Sequence, residues 1–315
     1  MSVDPFSDIL KFTRAESLVT GSFTAGGAWA IRFPAPDKIK FFAVVKGSCW
    51  VRIDGEDQPG KVGPGDVGLL AAQRSFILSS DLDTQPIDAM GLFKGGLTKS
   101  AHLGSGEDFS YLGGHVLLDA ASRHLLADAL PPWIHVPAVS PQATAFQWLL
   151  DQLVQERSSN LPGASLASDQ LAQLLFIQIL RAHLKTASVL PVGWLRALAD
   201  LRLAPALRSI HGDPGHSWGL EELAKGSAMS RTTFAESFKA AAGIAPLAYL
   251  TAWRMRLAAR ALRDDDVSVS ELARSLGYTS ESAFSNAFKR TTGSAPNRYR
   301  ATARSDLHTA SDFNR

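Results

Sequence analysis

Two sets of side chains, polar except for one alanine, recur 50 positions apart (281 − 231), and each set has the spacing of one exposed helix face. Guanidinium, amide, carboxylate and hydroxyl groups are those that hydrogen-bond to base edges in the major groove of DNA. The spacing therefore indicates two similar surfaces that could each read a short DNA segment. The first set is Arg231, Thr232, Ala235, Glu236 and Lys239, and the second is Glu281, Ser282, Ser285, Asn286 and Lys289.

Both sets belong to a segment pattern that occurs twice. A Glu-Leu-Ala triplet stands at 222–224 and again at 271–273, an offset of 49 (271 − 222), so the second copy has one additional turn residue. Each copy predicts a short helix, a turn and a second helix whose paired phenylalanines point inward. The shared positions are Ser230, Phe234, Phe238, Gly243 and Pro246 in the first copy, and Ser280, Phe284, Phe288, Gly293 and Pro296 in the second.

Start and stop signals set the limits of these helices. The serines at 230 and 280 are N-cap residues, and Ser268 with Glu271 forms a capping box. Gly219 stands in the place of Ser268 in the first copy. Gly226 and Gly277 lie near the ends of the short helices, where we expect a left-handed residue in each turn. The pattern predicts two helix-turn-helix units, and such a unit places its second helix in the major groove.

A long helix is predicted between the copies, at residues 247–263, about 25 Å long at 1.5 Å per residue. Trp253 and several leucines lie at helical spacing on one face, and four arginines fill other faces. We expect this helix to hold the two units as one rigid body on one face of DNA. The arginines are Arg254, Arg256, Arg260 and Arg263.

The tandem repeat resembles the DNA-binding domain of the AraC/XylS family of bacterial transcription regulators, over about a third of the chain. The resemblance implies a sequence-specific regulator whose partners are double-stranded DNA and RNA polymerase. Asn286 is expected to pair with adenine, Arg300 to contact a phosphate, and Arg290 to complete the DNA-contacting set. The signature residues are Val269 to Ala273, Gly277, Tyr278, Ser282, Phe284, Phe288 to Arg290, Gly293, Pro296, Tyr299 and Arg300.

The charge distribution is compatible with this interpretation. Residues 201–304 hold fifteen Lys and Arg against nine Asp and Glu, an excess of +6 (15 − 9), and the chain as a whole carries +2, which leaves −4 elsewhere (2 − 6). A modest basic excess alone is typical of a solvated surface. Combined with the repeat, it indicates phosphate binding at one end of the chain.

Residues 1–115 predict a small β-barrel or jelly roll. Short β-prone runs alternate with turn sequences, among them Gly63-Pro64-Gly65-Asp66. This order resembles a cupin, and more closely the cupin sensor domain of one AraC-type subgroup. The fold class expected is therefore α+β with two domains: a cupin-like barrel with flanking helices, and an all-α domain of two helix-turn-helix units joined by a long helix.

A metal-dependent cupin enzyme is the competing class. Its usual ligands are histidines and a glutamate, yet the first histidine is His102, and Ser48, Trp50 and Arg52 occupy the positions of the first cupin motif. We therefore expect no catalytic residue, no metal and no cofactor. A third class, a DNA binder that needs no ligand, also stays open. The remaining early histidines, at 115, 124 and 135, are too scattered for a recognisable metal site.

A small-molecule effector would contact side chains on one barrel face. Along one strand Trp50 and Arg52 share a face, and Val51 and Ile53 share the other. Plain barrel core is the alternative for the aromatic residues. The candidate effector-binding residues are Trp29, Phe42, Trp50, Arg52 and Phe76.

Residues 116–184 predict a helical region, with helices at 117–130, 144–157 and 166–184. The last helix is apolar on more than one face, which fits either burial against the barrel or a dimer interface. The resemblance implies a homodimer through this region. A linker at 185–193, the DNA-binding domain at 194–304 and a loose tail at 305–315 complete the domain prediction.

The remaining features favour a bacterial cytoplasmic protein. The single cysteine, Cys49, excludes an internal disulfide and fits a reducing compartment. No signal peptide is visible at the N-terminus, and no apolar run approaches the roughly 20 residues that span a bilayer. We expect no membrane partner.

Overall fold

The computed structural model of the chain describes residues 4–71, 73–93, 99–159, 161–187 and 189–303. The chain divides into two compact units, Ile9–Pro191, and Val192–Arg315 together with Met1–Asp8. The tail predicted at 305–315 lies outside the described residues. In the part that is described, no helix is long and apolar enough to cross a membrane.

Helix α1 (Pro5–Phe12) precedes the strands of the first unit, which form two sheets. The strands are β1 (Glu16–Gly26), β2 (Ala30–Phe33), β3 (Ile39–Lys46), β4 (Cys49–Ile53), β5 (Gly60–Val62), β6 (Val67–Leu70), β7 (Phe76–Ser79), β8 (Ile87–Asp88), β9 (Lys99–Gly104), β10 (Phe109–Leu117) and β11 (Trp133–Val136). One sheet has the order β11-β6-β3-β10-β1-β9, and the other has the order β5-β4-β7-β2-β8.

Aromatic side chains fill the space between the two sheets. Phe23 packs edge-on against Trp29 with ring centres 5.3 Å apart, and Trp29 lies 4.8 Å from Phe109. Phe42 stacks on Trp133 at 4.8 Å. The predicted cupin-like barrel is confirmed, and its interior is an apolar core rather than an open channel.

Four further helices belong to this unit: α2 (Ala89–Leu92), α3 (His124–Ala127), α4 (Ala143–Ser158) and α5 (Ala164–Thr186). Helix α5 packs against α4 and against β1, β6 and β11, and it buries Phe176 and Ile179 completely. The side chain of Gln173 accepts a 2.8 Å hydrogen bond from the backbone N–H of Ser17. One face of α5 is therefore buried against the sheet, while Leu166 and Leu174 stay exposed.

The helix predicted at 117–130 is wrong. Strand β10 continues to Leu117, a turn follows in which the Ser122 hydroxyl donates to Asp119 at 2.9 Å, and α3 is a single turn. The Asp119 N–H also donates to the carbonyl of distant Thr13, so one local and one long-range hydrogen bond hold this segment in a non-helical conformation. The residues that follow form β11, which pairs antiparallel with β6 between two predicted helices, where no strand was expected.

The second unit is helical. Its elements are α6 (Trp194–Ala199), α7 (Ala204–Gly212), α8 (Leu220–Gly226), α9 (Arg231–Ala242), α10 (Pro246–Asp264), α11 (Val269–Ser275) and α12 (Glu281–Thr292), and a helical segment follows at 296–303. Helices α6 and α7, which the sequence pattern did not predict, pack against α9 and α8 respectively. The all-α architecture and the long connecting helix are confirmed.

The predicted helix starts are confirmed by their hydrogen bonds. The hydroxyl of Ser230 accepts from Thr233 N–H at 3.2 Å, and that of Ser280 accepts from Ala283 N–H at 3.1 Å. Ser268 likewise caps α11 at 3.1 Å, whereas Gly219 gives α8 no side-chain cap. Both Ser-capped second helices end at a left-handed glycine, at positions 243 and 293.

Candidate nucleic-acid interface

The two helix-turn-helix units have the same internal packing. Phe234 and Phe238 lie 5.7 Å apart in α9, and Phe284 and Phe288 lie 5.8 Å apart in α12. A tyrosine packs edge-on against the second ring of each pair, Tyr249 at 5.7 Å and Tyr299 at 5.4 Å. All four phenylalanines are fully buried, so the opposite faces of α9 and α12 point outward.

The predicted DNA-contacting residues lie on those outward faces. Ala235 and Ser285 occupy equivalent, half-buried positions near the middle of each helix. The remaining nine residues on α9 and α12 are exposed: Arg231, Thr232, Glu236 and Lys239 on α9, and Glu281, Ser282, Asn286, Lys289 and Arg290 on α12. Their side chains are free to meet base edges or phosphates.

The four basic residues on these faces are electrostatically available. Arg231, Lys239, Lys289 and Arg290 form no ion pair with any carboxylate of the described residues. A cation without a protein partner can neutralise a phosphate at no cost in lost salt bridges. An open groove of about 650 Å³ lies between α8 and α9 and is lined by Lys225 as well as Arg231. The sequence pattern did not single out Lys225, which lies in the last turn of α8.

Arg300 differs from these residues. It is half-buried, and its Nη2 donates to the backbone carbonyl of Val267, directly before the cap of α11. Its guanidinium therefore holds the start of α11 in place. The phosphate contact expected for Arg300 stays a prediction, and this structural role is additional to it.

The turns of the two units differ by one residue. Met229 N–H donates to Ala224 O at 3.0 Å, and Tyr278 N–H donates to Ala273 O at 2.9 Å, so these bonds are equivalent at an offset of 49. The cap serines are offset by 50, which makes Thr279 the additional residue, immediately before Ser280.

The left-handed turn residue of the first helix-turn-helix unit is not the one predicted. Gly277 has a φ of 76° as expected, but its counterpart is Ala228, with a φ of 51°, and Gly226 is the last residue of α8. The offset of 49 that holds through the turn pairs Ala228 with Gly277 and places Gly226 one step too early. An alanine in this conformation costs more than glycine.

In the N-terminal compact unit, Ile9–Pro191, the five candidate effector residues do not share one face. Trp29, Phe42 and Phe76 lie in the core between the sheets. Trp50 and Arg52 point to the other side of β4, where Lys61 lies 5.6 Å from the Trp50 ring. The strict alternation along β4 buries Cys49, Val51 and Ile53 instead. The prediction that all five candidate residues line one pocket is therefore wrong.

The core retains a cavity of only about 10 Å³, close to the space of one water molecule. Its lining includes one charged side chain, Lys40, which is half-buried and whose pKa is lowered by that burial. Cys49 is buried nearby, and burial raises the pKa of its thiol to about 12. The other lining residues are Phe42, Val51, Val62, Leu70, Phe76, Leu78, Tyr111 and Trp133.

The Gly-Pro-Gly-Asp turn has a structural explanation. The Asp66 carboxylate accepts from Gly63 N–H at 2.9 Å and from Ala138 N–H at 2.7 Å, and it lies 2.9 Å from His135 Nε2. One buried carboxylate thus closes the turn and fastens it to the C-terminal end of β11 and the residues that follow. His135 is bound here rather than available to a metal.

The other barrel histidines are also separate. His102 Nδ1 lies 2.9 Å from the Thr24 hydroxyl, and His115 is buried, which together with Lys38 and Lys40 lowers its pKa to about 4. Across the described residues there is no group of three His, Cys, Asp or Glu side chains that could hold a metal ion.

Comparisons with known proteins bear on both units. A cupin family model matches residues 4–185, and a helix-turn-helix domain model matches residues 223–302. An AraC-like transcription regulator of Streptomyces antibioticus is 43% identical over 298 residues, which span 95% of this chain and 98% of that protein. The HTH-type transcriptional regulator AlkR of Acinetobacter baylyi is 31% identical and covers 87% of this chain and 91% of its own length.

Among solved structures, the chain is similar to the DNA-binding domain of AdpA, which was determined in complex with a target DNA. The identity is 34%, and the match covers 34% of this chain and 96% of that domain with a TM-score of 0.32.

Proposed function

Because the chain belongs to the AraC-like family of DNA-binding transcription regulators with a cupin-type N-terminal domain, we propose that it reads DNA with both α9 and α12 and that a small molecule in the cupin unit changes this reading. The observation that supports the first part is the pair of equivalent helices with outward polar side chains and inward phenylalanines. The two helices enter successive major-groove segments.

Base-edge contacts come from the exposed amide, guanidinium and hydroxyl groups, and phosphate contacts come from the lysines and Arg290. Asn286 reads an adenine and Arg231 reads a guanine, since these are the bases that the two side chains pair with twice. Glu281 accepts from a cytosine amino group. Lys239 and Lys289 occupy equivalent positions one turn before the ends of their helices, where they bind phosphate.

Selection of bound duplexes from a random library, followed by footprinting, tests this part. The expected result is two protected segments about one helical turn apart on one DNA face, with affinity that falls steeply with salt. A single protected segment would show that one helix does not read DNA.

The effector part rests on the apolar interior. Ligand sites for small molecules occupy roughly 300–1,000 Å³, far more than the present cavity, so an effector must displace core side chains to enter. Phe42 and Trp133, which stack on each other and line the cavity, are the rings to be moved. Binding of this kind is coupled to a change in packing of the barrel, which is what a sensor requires.

Thermal-shift screening with small apolar and amphipathic compounds tests the effector part. The matched pair of variants is Val51→Phe, which puts a ring into the cavity, and Val45→Phe, which lies on β3 outside it. Overpacking costs about 1–3 kcal/mol, so both proteins are compared below their own transitions. A compound that stabilises wild type and Val45→Phe but not Val51→Phe binds in the interior; equal stabilisation of all three contradicts this site.

The remaining parts of the proposal concern partners and class. The chain acts in the cytoplasm, where its DNA lies, has no catalytic role, and contacts RNA polymerase from a homodimer formed through α4 and α5. Exposed apolar side chains on these helices support the dimer, among them Trp148 and Leu166. Sedimentation of wild type and of Trp148→Glu tests it: a dimer that persists unchanged in the variant contradicts this interface.

A further inference from the structure

Arg254 lies near the middle of α10, and its guanidinium group contacts both helix-turn-helix units. Its Nε donates to the carbonyl of Pro214 at 2.6 Å, and its Nη2 donates to the carbonyl of His216 at 2.8 Å. Its guanidinium carbon lies 5.7 Å from the centre of the Tyr278 ring. The two carbonyls precede α8 of the first helix-turn-helix unit, whereas Tyr278 lies in the turn between α11 and α12 of the second helix-turn-helix unit.

The same two segments also meet through their backbones. A Cβ at Gly277 would lie 2.1 Å from the Gly215 carbonyl oxygen, and a Cβ at Gly215 would lie 2.5 Å from the Ser275 carbonyl oxygen. No side chain fits between them, so the contact requires glycine on both sides. The Arg254 guanidinium lies against the same contact, since a Cβ at Gly277 would also lie 2.8 Å from its Nη2.

Each contact of Arg254 leads on to a helix of one helix-turn-helix unit, and on the first side that helix, α8, packs against α9. The ring of His216 lies 3.1 Å from the Glu222 carboxylate on α8, and it packs edge-on against Trp218 at 4.3 Å. On the other side, Tyr278 packs edge-on against Phe284 of α12 at 5.5 Å. A continuous series of contacts therefore runs from α8 through Arg254 to α12.

The positive charge of Arg254 stabilises these contacts. Among the described residues it forms no ion pair with a carboxylate; it contacts two backbone carbonyls and Tyr278, and Asp213 lies close enough to interact with its charge. A planar guanidinium can donate in two directions while stacking on a ring, which lysine cannot do.

We propose that Arg254 is a positioning residue that fixes the distance and angle between α9 and α12, and so sets the number of base pairs between the two DNA segments that the chain recognises. Helix α10 packs on the first helix-turn-helix unit through Tyr249 and on the second through Met255, Ala258 and Leu262. A small bend or twist between these two contacts would let α9 and α12 adopt several separations. The Arg254 contact removes that freedom. This inference rests on the proposed use of both helices on DNA.

A binding experiment with altered spacing tests the consequence. One inserted base pair moves one segment by about 3.4 Å and turns it by roughly 35° relative to the other. Full-length wild type should bind its selected duplex roughly 5- to 150-fold more tightly than the same duplex with one base pair inserted, because base-specific contacts of one helix are lost. In Arg254→Met, which keeps an apolar stem, this ratio should fall to about two or less, whereas base preference within each segment stays unchanged.

Two further variants serve as controls. Arg254→Lys keeps the positive charge but loses the planar guanidinium with its several N–H donors, and should behave like Arg254→Met. Arg208→Ala removes one exposed positive charge from α7, away from both turns, and should keep the wild-type ratio. If Arg254→Met weakens binding to all duplexes equally and leaves the ratio unchanged, the proposal is overturned, since that result describes a merely structural residue.

A distance measurement without DNA separates this inference from the proposed DNA contacts. Spin labels at the equivalent exposed positions, Glu236→Cys and Asn286→Cys, report the separation of α9 and α12, and Cys49 is too deeply buried to label. Arg254→Met should broaden the distance distribution, and an unchanged distribution would overturn the positioning role. A broadened distribution with unchanged spacing preference would instead contradict the use of both helices on DNA.

Discussion

Asn286→Ala should remove base preference at one operator position and leave the fold intact. Asn286 is exposed on α12 and its side chain makes no hydrogen bond with the described residues, so its removal leaves no buried group without a partner. Surface changes of this kind stay within about 0.5 kcal/mol of stability. A paired contact with adenine N6 and N7 contributes roughly 1–3 kcal/mol of discrimination, which corresponds to about 5- to 150-fold in affinity.

Competition binding against a library in which each operator position is varied measures this effect. The variant should tolerate all four bases at one position, and its preference elsewhere should equal that of wild type. Asn297→Ala is the matched control, because Asn297 is also an exposed asparagine of the same unit but lies beyond α12 in the segment at 296–303. Its preference should be unchanged at every position.

A modified base identifies the contact. Replacing the adenine by 7-deazaadenine removes the N7 acceptor, so wild type should lose affinity for this duplex and Asn286→Ala should not. If Asn286→Ala keeps the complete wild-type base preference at unchanged thermal stability, α12 docks in another register and the reasoning is refuted.

The other predictions concern stability, pH and phosphate binding. Phe288→Ala should lower the free energy of unfolding by about 3–5 kcal/mol in urea titrations, because the ring is fully buried, and a loss under 1 kcal/mol would contradict that packing. Burial lowers the pKa of His211 to about 4, below the value near 6.5 of the unfolded chain. The free energy of unfolding should therefore be constant above about pH 6.5 and fall as the pH decreases towards 4. Its slope against pH should be smaller in His211→Gln, and an equal slope in both proteins would exclude His211 as the cause. Arg290→Ala should reduce the salt slope of DNA binding by about one unit without changing the melting temperature, whereas Arg300→Ala should weaken specific and non-specific binding together and also lower the melting temperature, since Val267 loses its donor. A melting temperature of Arg300→Ala equal to wild type would contradict the structural role.

The parts of the fold that sequence patterns predicted depend on local contacts. Ser230, Ser268 and Ser280 begin helices through bonds to residues three positions away, and such bonds are visible in the sequence as spacing. The buried phenylalanine pairs are likewise i, i+4 neighbours. The outward faces of α9 and α12 follow directly from these two signals.

The parts that were missed depend on contacts between distant residues. Strand β11 forms because β6 offers it an edge, and the short apolar run at 133–136 gives no sign of that partner. The choice of inner face on β4 was open because alternation alone does not say which set of residues faces the core. Arg254 was grouped with the other arginines of α10, since its partners Pro214 and His216 lie about 40 positions earlier in the chain.

The additional residue Thr279 has a consequence for the DNA that the chain can bind. The two helix-turn-helix units follow one another head to tail, and this one residue makes their turns unequal. A protein surface built in this way has no two-fold axis, unlike the paired half-sites of a symmetric dimer. A site that fits both helices is therefore non-palindromic, and turning it end for end presents each helix with the wrong segment. One chain bound to such a site points in one direction along the DNA, so inverting the site would reverse the bound protein relative to a neighbouring gene.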